Sequence, residues 1–221
     1  MEYRYEIHAH TKNSSRCGKL DGAEIAQKYK DAGYSGIVIT DHYAPMSFDP
    51  KEFFNKKQAI DHYLRGYRSA KTVEDENFSV ILGMELRFYA TVNDYLVYGV
   101  TEDLLYSLPF LLGKYLGRAS KLLRKNGCVV IQAHPFRKFI TRANPKHLDG
   151  VEVRNGKTDD ELNRKAKEWA DTFAPNIQVG GSDCHSDASF AASGIITNEP
   201  IRTSADLVRI LKSGKFKIIH N

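Results

Sequence analysis

The residues best suited to chemistry in this chain are histidines and acids, and the first stand in Glu6-Ile7-His8-Ala9-His10-Thr11. Two residues apart on an extended strand, His8 and His10 present both imidazoles on one face. Two neutral imidazoles converging from one strand end can chelate a divalent metal. Similar groups close later apolar runs. Asp41 and His42 follow Gly36-Ile-Val-Ile-Thr, Glu85 ends the run from Phe78, His134 ends the run from Cys128, and Asp183 and His185 follow Ile177-Gln-Val-Gly-Gly-Ser. Of the 8 histidines, His62, His147 and His220 alone fall elsewhere. Each residue has an ordinary alternative: His134, before Pro135, could cap a strand, and Asp41 could bond a following loop. Gathered in one place, they would be electrostatically costly without a cation. A mixed nitrogen and oxygen set of this size suffices for two or three divalent ions, with a carboxylate such as Glu85 bridging.

Positioning these groups is the task of the surrounding elements. Residues 3–8 alternate as a strand, and Asp21 with Glu24 forms a capping-box pattern that opens a helix ended by Gly33. The β-branched run 36–42 reads as a buried parallel strand, which completes a β-α-β unit. A helix rich in Lys, Arg and Tyr is expected over 52–74, and strands over 78–85 and 95–100. Pro109 interrupts the helical stretch after Thr101. A helix over 114–125, strands over 128–134 and 150–154, a helix over 159–173 and a strand from Ile177 follow, then Gly194-Ile-Ile-Thr197, a helix from Ser204 and a last strand over 216–219. Strands alternating with helices argue a parallel sheet. About seven strands with functional residues at their C-terminal ends favour a barrel. With 221 residues, 42% of them hydrophobic, and no linker or repeat, one α/β domain over 1–221 is expected.

No apolar run is long enough to span a bilayer. The beginning Met-Glu-Tyr-Arg-Tyr-Glu lacks the form of a signal peptide, so a cytoplasmic protein is expected. Cys17, Cys128 and Cys184 are too few and scattered for a disulfide framework. The net charge of +5 is small for this length and reads as solvated helix faces or as a field for an anionic substrate; it permits a phosphate ligand or nucleic acid without demanding either.

Five ordered motifs, His-Ala-His-Thr at 8–11, Thr-Asp-His at 40–42, Gly-Met-Glu at 83–85, Ala-His-Pro at 133–135 and Gly-Ser-Asp-Cys-His at 181–185, resemble those of the PHP (polymerase and histidinol phosphatase) family. The resemblance covers almost the whole chain. It implies a distorted seven-stranded β/α (TIM-like) barrel, up to three metals and hydrolysis of phosphate esters. Carried over by motif, His8, His10, Glu85 and Asp183 would hold one ion, Glu85 would bridge to a second bound by His134, and His42 and His185 would hold a third. The segment after His10 lacks the aspartate or histidine common in the family. Cys17 stands there as a candidate thiolate ligand, which would favour zinc over magnesium. A histidine common after the glutamate motif is also missing, with Asn93 or Asp94 in its neighbourhood, so two ions are as compatible with the chain as three. Zinc, manganese and iron are the candidate metals.

Such ions could polarise a phosphoryl group and supply hydroxide for in-line attack. No G-x-S-x-G, P-loop or dinucleotide glycine motif offers a competing chemistry. Asp41, His42 or His185 could assist the leaving group. Arg16, Arg87 and Arg137 are the candidate phosphate ligands, ahead of Lys12 and Arg154. Aromatics and cations over 43–67 (Tyr43, Phe48, Phe53, Phe54, Tyr63, Tyr67 among them) could hold a nucleotide or simply cover the rim. The leading expectation is hydrolysis of a small phosphorylated substrate such as a sugar or amino-alcohol phosphate. The alternatives are a nucleotide phosphodiesterase or exonuclease, and a non-catalytic metal-binding module. Amide or lactone hydrolysis, as in a related barrel, lacks the metal-bridging lysine expected there, though Glu85 could bridge instead. No membrane partner is indicated, and the oligomeric state is left open.

Overall fold

The computed structural model describes residues 1–49, 51, 55–89, 91–173 and 175–220. Strand β1 (Tyr3–Ala9) leads through a polar loop into α1 (Gly22–Asp31). The capping box forms as expected: Asp21 accepts from the Ala23 amide, and Glu24 accepts from the Asp21 amide. Gly33, at φ 78°, ends the helix in a conformation that costs other residues. The run expected as one strand over 36–42 is divided into β2 (Gly36–Ile39) and the short β3 (His42–Tyr43). Between them the Asp41 carbonyl still accepts from the Glu85 amide at 3.2 Å, while its side chain bonds Thr11 and Ser15.

Helix α2 (Lys56–Lys71) lies within the expected 52–74, and residues 52–54, with Phe53 and Phe54, fall outside the described residues. Then come β4 (Ser79–Arg87), β5 (Asp94–Tyr98), α3 (Glu102–Ser107), α4 (Leu116–Lys125), β6 (Val129–Gln132), β7 (Gly150–Asn155), α5 (Asp160–Phe173), β8 (Ile177–Gly181), β9 (Ser193–Thr197), α6 (Ser204–Ser213) and β10 (Phe216–His220). Helix α3 stops just before Pro109, which cannot continue it.

The strands follow the order β10-β9-β1-β2-β4-β5-β6-β7-β8, with β3 paired beside β4. This path of nine strands curls into a nearly closed barrel, so the expected count of seven is exceeded. The sheet is also mixed. Strand β5 is antiparallel to both β4 and β6, and β9 is antiparallel to β1 and β10. The connection over 88–93 is too short for the dozen or more residues of a parallel crossover. Closure comes from Cys184, which bridges Ala9: the His10 amide donates to the Cys184 carbonyl at 2.9 Å and the Cys184 amide to the His8 carbonyl at 3.0 Å.

Alternation along the strands separates two apolar faces. Ile7, Val38, Ile81, Leu96, Ile131 and Val179 fill the barrel, while Leu82, Met84 and Leu86 of β4 pack toward α2. Each such burial contributes about 1.5–3 kcal/mol. The same alternation turns Glu85 inward, above the apolar filling and at the end of the barrel where the other candidate residues gather. Among the described residues, no helix is long and apolar enough to cross a membrane.

Candidate metal centre

Local irregularities aim the side chains of the site. The register of β1 against β2 shifts between Glu6 and Ala9, so Glu6, His8 and His10 do not share the face that simple alternation gives them. Glu6 turns to the helix side, where the Tyr29 hydroxyl donates to it at 2.7 Å. His8 and His10 turn into the barrel mouth. Gly181 makes room for His8: a Cβ there would stand 2.4 Å from His8 Cβ. His134 (φ 28°) and Asp183 (φ 51°) occupy positive-φ conformations, uncommon for residues with side chains and frequent at functional sites.

Seven of the expected groups converge. His8 Nε2 lies 3.4 Å from Glu85 Oε1 and 3.6 Å from Asp183 Oδ1. His10 Nε2 lies 3.2 Å from Glu85 Oε2 and 3.4 Å from Asp183 Oδ1. His42 Nδ1 is 2.8 Å from Glu85 Oε2, His134 Nε2 is 3.0 Å from Glu85 Oε1, and His185 Nδ1 is 3.1 Å from Asp183 Oδ1. The rings of His10 and His185 are 4.2 Å apart between centroids, and those of His10 and His42 are 4.4 Å apart. His8, His10, Glu85 and Asp183 are almost wholly buried.

The His134 Nε2–Glu85 Oε1 contact is a hydrogen bond, but most of this proximity is not. His8 Nε2, His10 Nε2, His42 Nδ1 and Glu85 Oε2 are buried without a hydrogen-bond partner among the described residues. Such orphaned lone pairs are costly unless something electropositive takes them. Four overlapping groups have ligand atoms within 4.8 Å of one another: His10, His42 and His185; His8, His10 and Glu85; His8, His134 and Asp183; His42, Glu85 and Asp94. The donor set, imidazole nitrogen with carboxylate oxygen, suits divalent transition metals. The residues present therefore fit such ions.

Electrostatics agree. Burial opposes charge on all these groups, yet their mutual attraction wins. His8 is held well above its ordinary value by Glu152, Asp183 and Glu85, and His42 by Glu85 and Cys17. Glu85 and Asp183 are held well below theirs by the imidazoles. Burial likewise lowers His185, but Asp183 and Cys17 raise it to about 9. Without a metal, protons supply the positive charge that these carboxylates need, and a divalent cation would displace them.

Other expected residues are placed differently. Asp41 is buried behind the mouth, with its oxygens engaged by the Thr11 amide and hydroxyl at 2.7 Å each and by the Ser15 hydroxyl at 2.6 Å. That carboxylate fixes the loop after β1 instead of facing a leaving group. Helix α2 closes on it from behind at Gly66, where a Cβ would stand 2.3 Å from Asp41 Oδ2. Ser15 in turn approaches His10 Nδ1 at 3.4 Å. Arg87 forms a bidentate pair with Asp94, both contacts at 2.6 Å, so its charge is already balanced. Arg137 reaches Asp183 at 2.5 Å. Lys12 and Arg154 pair with Glu24 and Asp160.

Cys17 is exposed overall, with its sulfur facing His42 and His185. Partial burial pushes the thiol up, but hydrogen bonds from His185 and His42 outweigh it and bring it from 9.0 to about 5. Arg16, Cys17, His42, Met46, Ser47 and Arg87 line a hollow of about 140 Å³ beside the cluster.

Sequence reading missed Glu152, which orients two candidate ligands. Its Oε1 accepts from His8 Nδ1 at 2.7 Å, and its Oε2 accepts from the His134 amide at 2.9 Å. It also missed Asn155, which donates to Glu152 at 2.9 Å and to Asp183 at 3.3 Å. The signal was a lone acid within the otherwise apolar Gly150-Val-Glu-Val, where a buried carboxylate needs a partner.

A model of the PHP domain matches residues 6–188. No curated protein matches the chain in sequence. Among solved structures, PsfC from Pseudomonas syringae is similar at TM-score 0.69 and 17% identity, covering 100% of this chain and 92% of its own. A provisionally assigned metal-dependent phosphoesterase from Bifidobacterium adolescentis is similar at TM-score 0.52 and 14% identity, covering 84% of this chain and 89% of its own. PfuEndoQ, a lesion-specific endonuclease from Pyrococcus furiosus, gives TM-score 0.63 and 15% identity over 99% of this chain and 58% of its own. Identities this low speak for the fold alone, but the domain match spans most of the chain and includes all five strand-end motifs. The chain belongs to the PHP domain family.

Proposed function

We propose that this chain, as one barrel domain over 1–221, is a metal-dependent phosphoesterase whose substrate is a small phosphomonoester. The observation that carries this reading is the set of buried, partnerless ligand atoms of His8, His10, His42 and Glu85 converging at the barrel mouth. His8, His10, Glu85, His134 and Asp183 would hold one part of a two- or three-ion centre, and His10, His42 and His185 another, with Cys17 beside them. Bound there, zinc, manganese or iron supplies Lewis-acid polarisation of the phosphoryl oxygens and a water acidic enough to ionise near neutral pH.

The chain's own residues do the rest. Glu152 and Ser15 hold the rings of His8 and His10 in place. Arg137 and Arg16 offer guanidinium groups to the phosphate, whose charge and tetrahedral oxygens suit them. His42 or His185, on the Cys17 side, would hold a leaving-group proton where it is not itself bound to an ion. A phosphoesterase among proteins of similar fold supports the choice of phosphorus chemistry.

A nucleotide diester is the second reading, favoured by the cationic and aromatic segment that follows His134. There Arg142 lies 5.2 Å over the Phe136 ring and Lys138 lies 4.9 Å over the exposed Phe139 ring. Hydrolysis of p-nitrophenyl phosphate and bis(p-nitrophenyl) phosphate, with manganese, zinc or iron added, tests both. Preference for the monoester is expected. Preference for the diester selects the second reading, and activity on neither by metal-loaded protein refutes the enzyme reading.

A further inference from the structure

Lys157 plays no part in the site as described so far, yet its ammonium lies 3.3 Å from His185 Nδ1. That nitrogen is also 2.8 Å from the Asp183 carbonyl oxygen, which can only accept, so the ring proton sits on Nδ1. The ammonium has no lone pair to donate to there. Among the described residues no carboxylate pairs with it, whereas Arg87 and Arg137 each have one. An exposed lysine is usually free to swing away into solvent, but the turn that carries this one is fixed from several sides. The Lys157 amide donates to Asn155 Oδ1 at 3.0 Å, and Asn163 Nδ2 donates to the carbonyls of Asn155 and Thr158 at 3.1 Å each. Asn155 is itself bonded to Glu152 and Asp183, and Arg137 donates to the same Asn155 oxygen at 3.2 Å. One asparagine thus holds the backbone of Lys157 and the guanidinium of Arg137 beside the candidate ligands Asp183 and His185.

We propose that Lys157 is a phosphate anchor of this site, holding the non-bridging oxygens of a phosphate monoester on the His185 side of the mouth. The proposal rests on the phosphoesterase reading for its substrate class. Arg137 is already joined to Asp183, whereas Lys157, like Arg16 across the mouth, has no carboxylate partner among the described residues and keeps its charge for an incoming anion. A monoester dianion carries the additional charge that such an anchor would favour.

The test is binding of inorganic phosphate to zinc-loaded protein by isothermal titration, with bound zinc counted in each sample. Lys157→Ala is expected to weaken phosphate binding about ten- to a hundredfold, as for loss of a hydrogen bond to a charged group. Zinc content should be unchanged, and Lys157→Arg should recover most of the affinity. Equal affinity in wild type and Lys157→Ala overturns the anchor. So does failure of the wild type to bind phosphate. Loss of zinc in Lys157→Ala overturns it as well, because the lysine would then be supporting the ligands. Ester hydrolysis measured in parallel separates the two claims. A wild type that binds phosphate through Lys157 but cleaves no ester defeats the phosphoesterase reading and leaves the anchor. Hydrolysis with unchanged phosphate binding in Lys157→Ala does the reverse.

Discussion

Replacing Glu152 by glutamine tests how the site orients its ligands. The carboxylate is 1% exposed and uses both oxygens: Oε1 toward His8 Nδ1 at 2.7 Å, and Oε2 toward the His134 amide and Asn155 Nδ2 at 2.9 Å each. Glutamine has only one acceptor oxygen. If that oxygen serves His134 and Asn155, the new amide donor faces His8 Nδ1, and the ring proton must move to Nε2. Nε2 is the partnerless atom aimed between Glu85 and Asp183, and once protonated it cannot bind a metal. If the amide flips, its donor faces two donors instead. Either arrangement loses a charge-assisted buried hydrogen bond, about 1.5–3 kcal/mol. Partners of metal-binding histidines typically matter about 10- to 100-fold in metal affinity. Competition of the protein with a chromophoric chelator for zinc at fixed pH measures the change. A Glu152→Gln affinity within about twofold of wild type would refute the orienting role of Glu152.

Two further outcomes follow from packing and from the thiol. Gly181→Ala places a methyl 2.4 Å from His8 Cβ and 3.2 Å from Glu152 Oε1. It should cost about 1–3 kcal/mol, with about 2–4 °C of melting temperature lost per kcal/mol, and should lower bound metal. A calorimetric scan with unchanged melting and metal content would contradict the contact. Cys17, brought to about 5, should react with iodoacetamide in metal-free protein at a rate that stays high down to about pH 6 and falls through about 5. The sign is that of a depressed acid: its stabilising contribution is present above the ordinary thiol value and lost as pH falls through about 5. Cys128 and Cys184, pushed up to about 12 by burial, should stay unlabelled in native protein. Saturating zinc should slow labelling of Cys17 if its sulfur is a ligand. Mass spectrometry reads all of these, and a labelling midpoint above pH 8 would contradict the low value.

Much of the site was legible because its residues end apolar runs. His8, His10, Glu85, His134 and Asp183 sit where a buried strand reaches the barrel mouth, and a charged or ring-nitrogen group in that position has no ordinary apolar role. Asp41 shows the limit. It stands in the same kind of place, but its carboxylate is directed to Thr11 and Ser15 behind the mouth. Run-end position cannot distinguish the two directions. The irregularity of β1 was likewise invisible, because an alternating string such as Glu6, His8 and His10 reads as one face whether or not the ladder slips. Strand direction is legible at one place in the sequence. The short connection between Arg87 and Asp94 excludes a crossover helix, and the antiparallel β5 it implies brings Asp94 to the mouth. The two added strands β9 and β10 were located as apolar runs, but their place outside β1 depends on pairing over long sequence separations, which local patterns do not encode.

The claim on which everything else depends is that the cluster holds divalent metal. Elemental analysis of protein purified without chelator measures this directly, with His8→Ala and Asp183→Ala prepared alongside. Two or three ions of zinc, manganese or iron per chain are expected in the wild type, and fewer in both variants with hydrolysis abolished. A wild type free of metal after incubation with each ion, or variants that retain the full metal complement, would contradict it.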